Sequence, residues 1–327
     1  MAAELKFRAM GSDAHLIVVG GRASLMAEAK ARIDSLERRW SRFLDDSEVS
    51  EMNRRAGSFV NVSRETVLLV ERAVEAWRLS GGAFDPTVLG AMVRAGYDRS
   101  FDLLAPGAAA APCVLDIGAS DIAVDGSRVR LPAGTGFDPG GIGKGLAADL
   151  VCDELMAAGA DGGCVNMGGD VRVIGTGPDG GTWTVAIEHP WSAEPVALVG
   201  LGAGAVATST TLRRRWQSDG QTRHHLIDPR TGQPSDTNIA FATVVAAHAW
   251  VAEILAKAVL LAGLPHPFDI VGGTGAQALV VDDNGVISST PGLADYLSGI
   301  TLPAALLQPR PALAELGADS ADGRGRS

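Results

Sequence analysis

The sequence predicts an α+β fold, a single compact domain of mixed or antiparallel sheets with packed helices. Three observations carry this expectation. Apolar runs of strand character interleave with runs of helical spacing, but the strands recur as hairpin-like pairs, which argues against a purely parallel sheet. Turn signals at Asp125-Gly126 and Asp283-Asn284-Gly285 separate short runs rich in branched residues at 122–124 and 129–131, and at 278–281 and 286–287. No low-complexity linker divides the 327 residues before the C-terminus. One domain is therefore expected over residues 1–305, followed by a tail over 306–327 whose Pro, Ala, Gly and charge cannot supply a core.

The elements follow in order. Residues 16–19 form a short apolar run closed by Gly20-Gly21, a first strand. Leu25, Ala29, Ile33, Leu36 and Trp40 recur at helical spacing within a helix over 23–44. Ser47, with Ser50 and Glu51 behind it, reads as a helix N-cap, and Ser63 caps a second long helix over 64–79 after a short strand at 59–62. In Gly82-Ala83-Phe84-Asp85-Pro86-Thr87, Pro86 forces Asp85 towards extended geometry. The Asp85 carboxylate is either aimed at a ligand or closes an Asx-turn. Residues 100–112 read as a surface loop. Residues 164–175 read as strand, glycine break at Gly168-Gly169, and strand. Strands are expected at 183–188, 196–201, 205–211 and 241–247.

A glycine-rich stretch, Phe137-Asp138-Pro139-Gly140-Gly141-Ile142-Gly143-Lys144-Gly145, opens an apolar helix over 146–155. Such a loop lets backbone N–H groups approach an anion closely, with the helix dipole in support. Lys144 supplies positive charge where a phosphate would sit, and Asp138 can accept from a sugar or a base. The spacing matches neither the P-loop nor the dinucleotide fingerprint, so a glycine-rich helix entry without a ligand stays open beside phosphate binding. The run Arg213-Arg214-Arg215 reads as a solvated face before a phosphate site. His224 and His225 are adjacent, so at most one can face a shared site from a strand. The helix over 249–261 is apolar nearly all round and therefore buried. Its two charges, Glu253 and Lys257, stand one turn apart and must be buried or line a polar cavity.

Bulk properties exclude several classes. A net charge of −10 argues against sequence-independent nucleic-acid binding, which needs excess Lys and Arg. Cys113, Cys152 and Cys164 lack paired spacing, so neither a disulfide framework nor structural zinc is expected. The first residues carry no secretory pattern, and no apolar stretch reaches spanning length. The expected location is the cytoplasm, with no membrane anchor.

Taken together, several motifs resemble the FAD:protein FMN transferase family, the ApbE-like flavin transferases. They are Met10-Gly11-Ser12, Trp40-Ser41-Arg42-Phe43, Ser47 to Asn53, the Asp85 loop, Gly140 to Asp149, Asn166-Met167-Gly168-Gly169-Asp170, Ala207-Thr208-Ser209, His225-Leu226-Ile227-Asp228-Pro229-Arg230-Thr231-Gly232, and the helix around Glu253. The resemblance implies FAD as substrate, cleavage of its pyrophosphate, transfer of FMN to a Thr or Ser of an acceptor protein, and release of AMP. Some members hydrolyse FAD to FMN and AMP instead. Carried over by motif position, Met10, Phe43, Ala83, Phe84, Asp85, Asp138, Lys144 and Ile227 line the FAD site, and His225 either acts as general base on the acceptor hydroxyl or only orients groups there. The family's magnesium site combines a loop carbonyl, here Gly141, with an Asp and a Thr on the late helix. Here Glu253 stands at the Asp position and Lys257 at the Thr position. An ammonium cannot coordinate magnesium, so Lys257 is expected to pair with Glu253 and hold the pyrophosphate without metal, an arrangement that favours flavin retention; the resemblance as a whole still leads us to expect the transferase, with a flavin-binding protein or a FAD pyrophosphatase as the alternatives.

Overall fold

The computed structural model describes residues 1–104, 118–218 and 221–297. The far part of the expected surface loop, Cys113 and the tail over 306–327 lie outside the described residues. An eight-stranded sheet runs through the molecule in the order Ala2–Ala9, Ser12–Val19, Gly162–Met167, Asp170–Gly175, Gly204–Thr210, Ile239–Ala246, Gln277–Asp282 and Ile287–Ser289. Every neighbouring pair is antiparallel, as expected for an α+β chain.

The sheet separates two cores, and the period-2 alternation of strand side chains decides which residue enters which. Ala205, Ala207, Ala242, Val244 and Ala278 face one side, where helices α5 (Gly143–Ala157) and α6 (Ala249–Ala262) pack with α1 (Leu25–Trp40). Their small side chains let α6 lie close to the strands. Val206, Phe241, Val245, Leu279 and Val281 face the other side, covered by a hairpin of Trp183–Ile187 and Ala197–Leu201. The strand Ile239–Ala246 is buried at all of its positions. Two-sided burial explains why it reads as a continuous apolar run rather than an alternating one.

The remaining helices are α2 (Glu48–Arg54), α3 (Arg64–Leu79) and α4 (Leu89–Arg94). Both expected caps form: Ser47 Oγ accepts from Ser50 N at 2.9 Å, and Ser63 Oγ accepts from Thr66 N at 3.3 Å. The short strands Val60–Asn61, Arg128–Arg130 and Ala123–Asp125 build a small separate sheet. Gly168 and Gly169, at φ of 67° and 100°, form the hairpin turn between two central strands, a backbone that favours glycine.

Three expectations need correction. The strand at 16–19 is the end of a full hairpin with Ala2–Ala9, whose largely exposed face offers no apolar run to detect. The helix expected over 23–44 stops at Trp40. Ser41 turns extended, its carbonyl accepts from Ser47 Oγ at 2.5 Å, and its hydroxyl accepts from Phe43 N at 3.2 Å. The helix after the glycine loop starts at Gly143 rather than 146, because glycine is used there for close packing against α6. A Cβ on Gly145 would stand 2.5 Å from the Ala249 carbonyl oxygen.

Among the described residues no helix is long and apolar enough to cross a membrane. Cys152 and Cys164 are free and buried.

Candidate active site

The glycine loop is held from both sides. Asn53 on α2 accepts from Phe137 N at 2.7 Å and donates to Phe137 O at 3.0 Å, clamping the backbone just before Asp138. Asp138 N donates to Pro86 O at 2.7 Å, joining this loop to the Asp85 loop. Asp138 Oδ1 accepts from Gly140 N at 2.8 Å and so shapes the short turn Pro139–Gly141. Behind Gly141 lie Phe84 and Lys257: a Cβ there would come within 2.7 Å of the Phe84 ring and 3.3 Å of Lys257 Cε.

Two clefts meet at this loop. The first, of about 670 Å³, is lined by Met10, Phe43, Ala83, Phe84, Asp85, Asp138, Gly141, Lys144, His225 and Ile227, so every residue carried over for FAD sits together in it. The second, of about 630 Å³, runs along Ser12, Asn166, Gly169, Asp170, Thr208, Ser209 and Arg213. Both clefts share Gly140, Lys144, Arg214, His225 and Lys257, which form the junction between them.

The junction is an ionic cluster. Lys144 donates to Asp170 and, at 3.1 Å, to Glu253 Oε1. Lys257 Nζ lies 3.4 Å from the same oxygen and 3.4 Å from the Glu253 carbonyl. Glu253 Oε2 accepts from Gly145 N at 2.8 Å, so both carboxylate oxygens are committed to N–H donors. Glu253 is 1% exposed and lies beneath the cleft wall rather than in it. Burial works to raise its pKa, but Lys144 and Lys257 outweigh that and hold the carboxyl below its usual range. Burial lowers the Lys144 ammonium to about 8, with Glu253 working in the other direction.

His225 Nδ1 is sealed from solvent and has no hydrogen-bond partner among the described residues. Burial, with Arg214 and Lys257 nearby, holds the imidazole well below its ordinary pKa, so it is neutral at pH 7. His224 is instead structural, bonded to Ser235 O at 3.1 Å, and only one of the adjacent pair faces the junction, as expected from a strand. Asp85 closes the Asx-turn that the sequence allowed and also lines the first cleft. Its Oδ1 accepts from Thr87 N at 2.7 Å, and burial pushes its pKa up against the Thr87 hydrogen bonds.

Three residues escaped the sequence. The Arg42 guanidinium lies 4.1 Å from the Phe43 ring centre and 4.7 Å from that of Tyr97, and pairs with Asp138 at 3.4 Å. Arg214, in the run read as a solvated face, instead lines both clefts and reaches Gly11 O at 3.1 Å from a backbone φ of 50°. Arg213 does behave as a surface residue, paired with Glu188 at 2.7 Å. Asp170, quoted only as part of a motif, is 3% exposed and holds Lys144.

The donor set at the junction does not fit magnesium. That ion takes hard oxygen ligands in near-ideal octahedral geometry, whereas here two ammoniums and a backbone N–H occupy the one helical carboxylate. Among the described residues no group of three His, Cys, Asp or Glu stands arranged to hold a metal ion.

The fold is thus an antiparallel α+β domain whose two clefts share one charged junction. The chain belongs to the ApbE family, whose family model matches residues 10–280. It is 28% identical over 255 residues to a FAD:protein FMN transferase of Vibrio cholerae, covering 73% of this chain and 74% of that one. It is 31% identical over 248 residues to the FAD:protein FMN transferase of Treponema pallidum, covering 67% of this chain and 66% of that one. The crystal structure of an ApbE protein from Thermotoga maritima superposes with a TM-score of 0.83 at 25% identity, over 91% of this chain and all of that one.

Proposed function

We propose that this chain is a FAD:protein FMN transferase acting through its 1–305 domain. It takes FAD into the first cleft and receives a Thr or Ser hydroxyl of an acceptor protein from the second. The acceptor oxygen attacks the FMN-side phosphorus, the bond to the bridging oxygen breaks, and AMP leaves with that oxygen. The observation that carries this is the shared junction: Lys144 and His225 face both clefts at once. Lys144 neutralises charge on the pyrophosphate. The neutral His225 imidazole takes the proton of the attacking hydroxyl, a role that its lowered pKa permits. Phe43, tilted against Tyr97 with ring centres 6.0 Å apart, gives the cleft an aromatic wall for a planar ring.

Family membership brings an expectation of magnesium assistance, and the donor set at Glu253 and Lys257 stands against it. That same cluster favours a second reading, in which the chain keeps FAD bound with no transfer, or passes FMN to water. Incubation of the purified chain with FAD and a candidate acceptor decides among them. AMP release with FMN attached to the acceptor, seen as a mass increase on one Thr or Ser, supports the transferase. FMN free in solution identifies hydrolysis. Bound FAD with no AMP identifies retention.

A further inference from the structure

We propose that in this chain the Lys257 ammonium takes the place of a divalent cation, so that Lys144 and Lys257 together grip the pyrophosphate of FAD and no metal is needed for binding. The identity of the ligand rests on the function proposed above; the cation replacement does not.

The geometry supports this from three sides. Lys257 rises from α6 one turn after Glu253, its Cε passes beside Gly141, and its ammonium reaches both clefts. Its stem therefore passes beside the glycine loop while its ammonium stays on the helical carboxylate. Both Glu253 oxygens already accept, Oε1 from Lys144 and Lys257 and Oε2 from Gly145 N, so a divalent ion approaching this carboxylate meets two ammoniums. The charges at the junction, Lys144, Lys257 and Arg214 against Glu253 and Asp170, leave one positive charge in excess while His225 is neutral. That excess attracts a pyrophosphate and repels a second cation. An ammonium on a four-carbon stem is a compact point charge with three donors, enough to bond a phosphate oxygen while keeping Glu253.

Manganese titration followed by electron paramagnetic resonance, with no flavin present, tests the replacement directly. The wild-type chain is expected to bind no stoichiometric Mn²⁺, and one ion bound per chain overturns the proposal whatever the flavin does. Lys257→Thr combined with Glu253→Asp removes one ammonium, adds a hydroxyl oxygen and draws the shortened carboxylate back from Lys144 and Gly145 N, and is expected to take up one Mn²⁺. FAD affinity by fluorescence quenching gives the second arm. Wild-type Kd should agree within about twofold between EDTA and Mg²⁺, and Lys257→Met, which keeps the stem packed, should weaken FAD at least about tenfold in EDTA. A wild-type Kd that rises tenfold on adding EDTA, or a folded Lys257→Met chain that binds FAD like wild type, overturns the lysine grip. Failure of wild type to bind FAD in either buffer overturns the ligand assignment and the grip with it, while the Mn²⁺ result still decides the cation replacement.

Discussion

Asp149→Ala is expected to destabilise the protein more than any other single truncation in helix α5. Its Oδ1 accepts from Ala249 N at 2.9 Å and its Oδ2 from Trp250 N at 3.0 Å, so one buried carboxylate caps the start of α6. Arg172 Nε lies 3.0 Å from Oδ1 as a charge contact, with both side chains nearly sealed from solvent. Loss of the cap alone costs about 1 kcal/mol. Leaving Arg172 buried without its counter-charge costs roughly 3–5 kcal/mol, towards the lower end because its Nη1 still donates to Val173 O and Gly204 O. The two terms overlap, and a total of about 3–5 kcal/mol follows, which lowers Tm by roughly 4–7 °C for a chain of 327 residues. Thermal and urea unfolding of Asp149→Ala, Arg172→Met and the double variant measure it. The double variant should recover part of the loss, because an apolar pair leaves no orphaned charge. A single variant that melts within about 2 °C of wild type would show that the buried pair and cap contribute nothing, and the reasoning fails.

Gly145→Ala is expected to gain about 1 kcal/mol of helix propensity and lose about 1–3 kcal/mol by forcing α6 away from the Ala249 carbonyl. Stability thus falls by about 0–2 kcal/mol, while FMN transfer falls up to roughly 100-fold as Glu253 and Lys257 move with the helix; equal transfer rates in a stopped AMP assay would refute it. His225 makes stability depend on pH. Its folded pKa is depressed, so below about pH 6.5 the unfolded chain binds a proton that the folded chain refuses, and stability drops by up to roughly 1.4 kcal/mol per unit of pH below that point. His224 acts in the same direction, so His225→Asn should reduce the slope between about pH 7 and pH 5.5 in urea titrations without abolishing it. Arg42→Met removes the guanidinium between Phe43 and Tyr97 and leaves Asp138 without its partner. FAD affinity by fluorescence quenching should fall by about tenfold, the worth of a partly desolvated cation–π stack, and an unchanged Kd would remove Arg42 from the site.

The fold was legible where burial is written in local pattern. The stripe Leu25, Ala29, Ile33, Leu36 and Trp40 placed α1, and all five are buried. Asp125-Gly126 placed a hairpin because turn chemistry is a property of a few adjacent residues. The strand Ala2–Ala9 was not legible, since an edge strand with one neighbour and a solvated face carries little apolar signal. The end of α1 was missed for a related reason. Apolar Phe43 and Leu44 continue the helical rhythm, but Ser41 hands its hydroxyl and carbonyl to Phe43 and Ser47, an outcome set by side chains six residues apart.

The site divides along the same line. Lys144, Asp138 and Gly141 announced themselves through a crowded glycine loop, and Glu253 with Lys257 through charge on a helix that should have none. What the sequence could not show is that Lys144 arrives from α5 to share the oxygen that Lys257 uses. The i,i+4 pair taken alone is a local ion pair. With Lys144 and Gly145 N added, it becomes a buried carboxylate whose two oxygens accept from two ammoniums and a backbone N–H. Arg214 shows the converse. Three consecutive arginines look alike in sequence, yet a positive φ at the middle one turns it inward to both clefts while Arg213 faces solvent. The conformation of one residue, rather than the composition of the run, distinguishes the arginine that lines both clefts from the one that lines only the second.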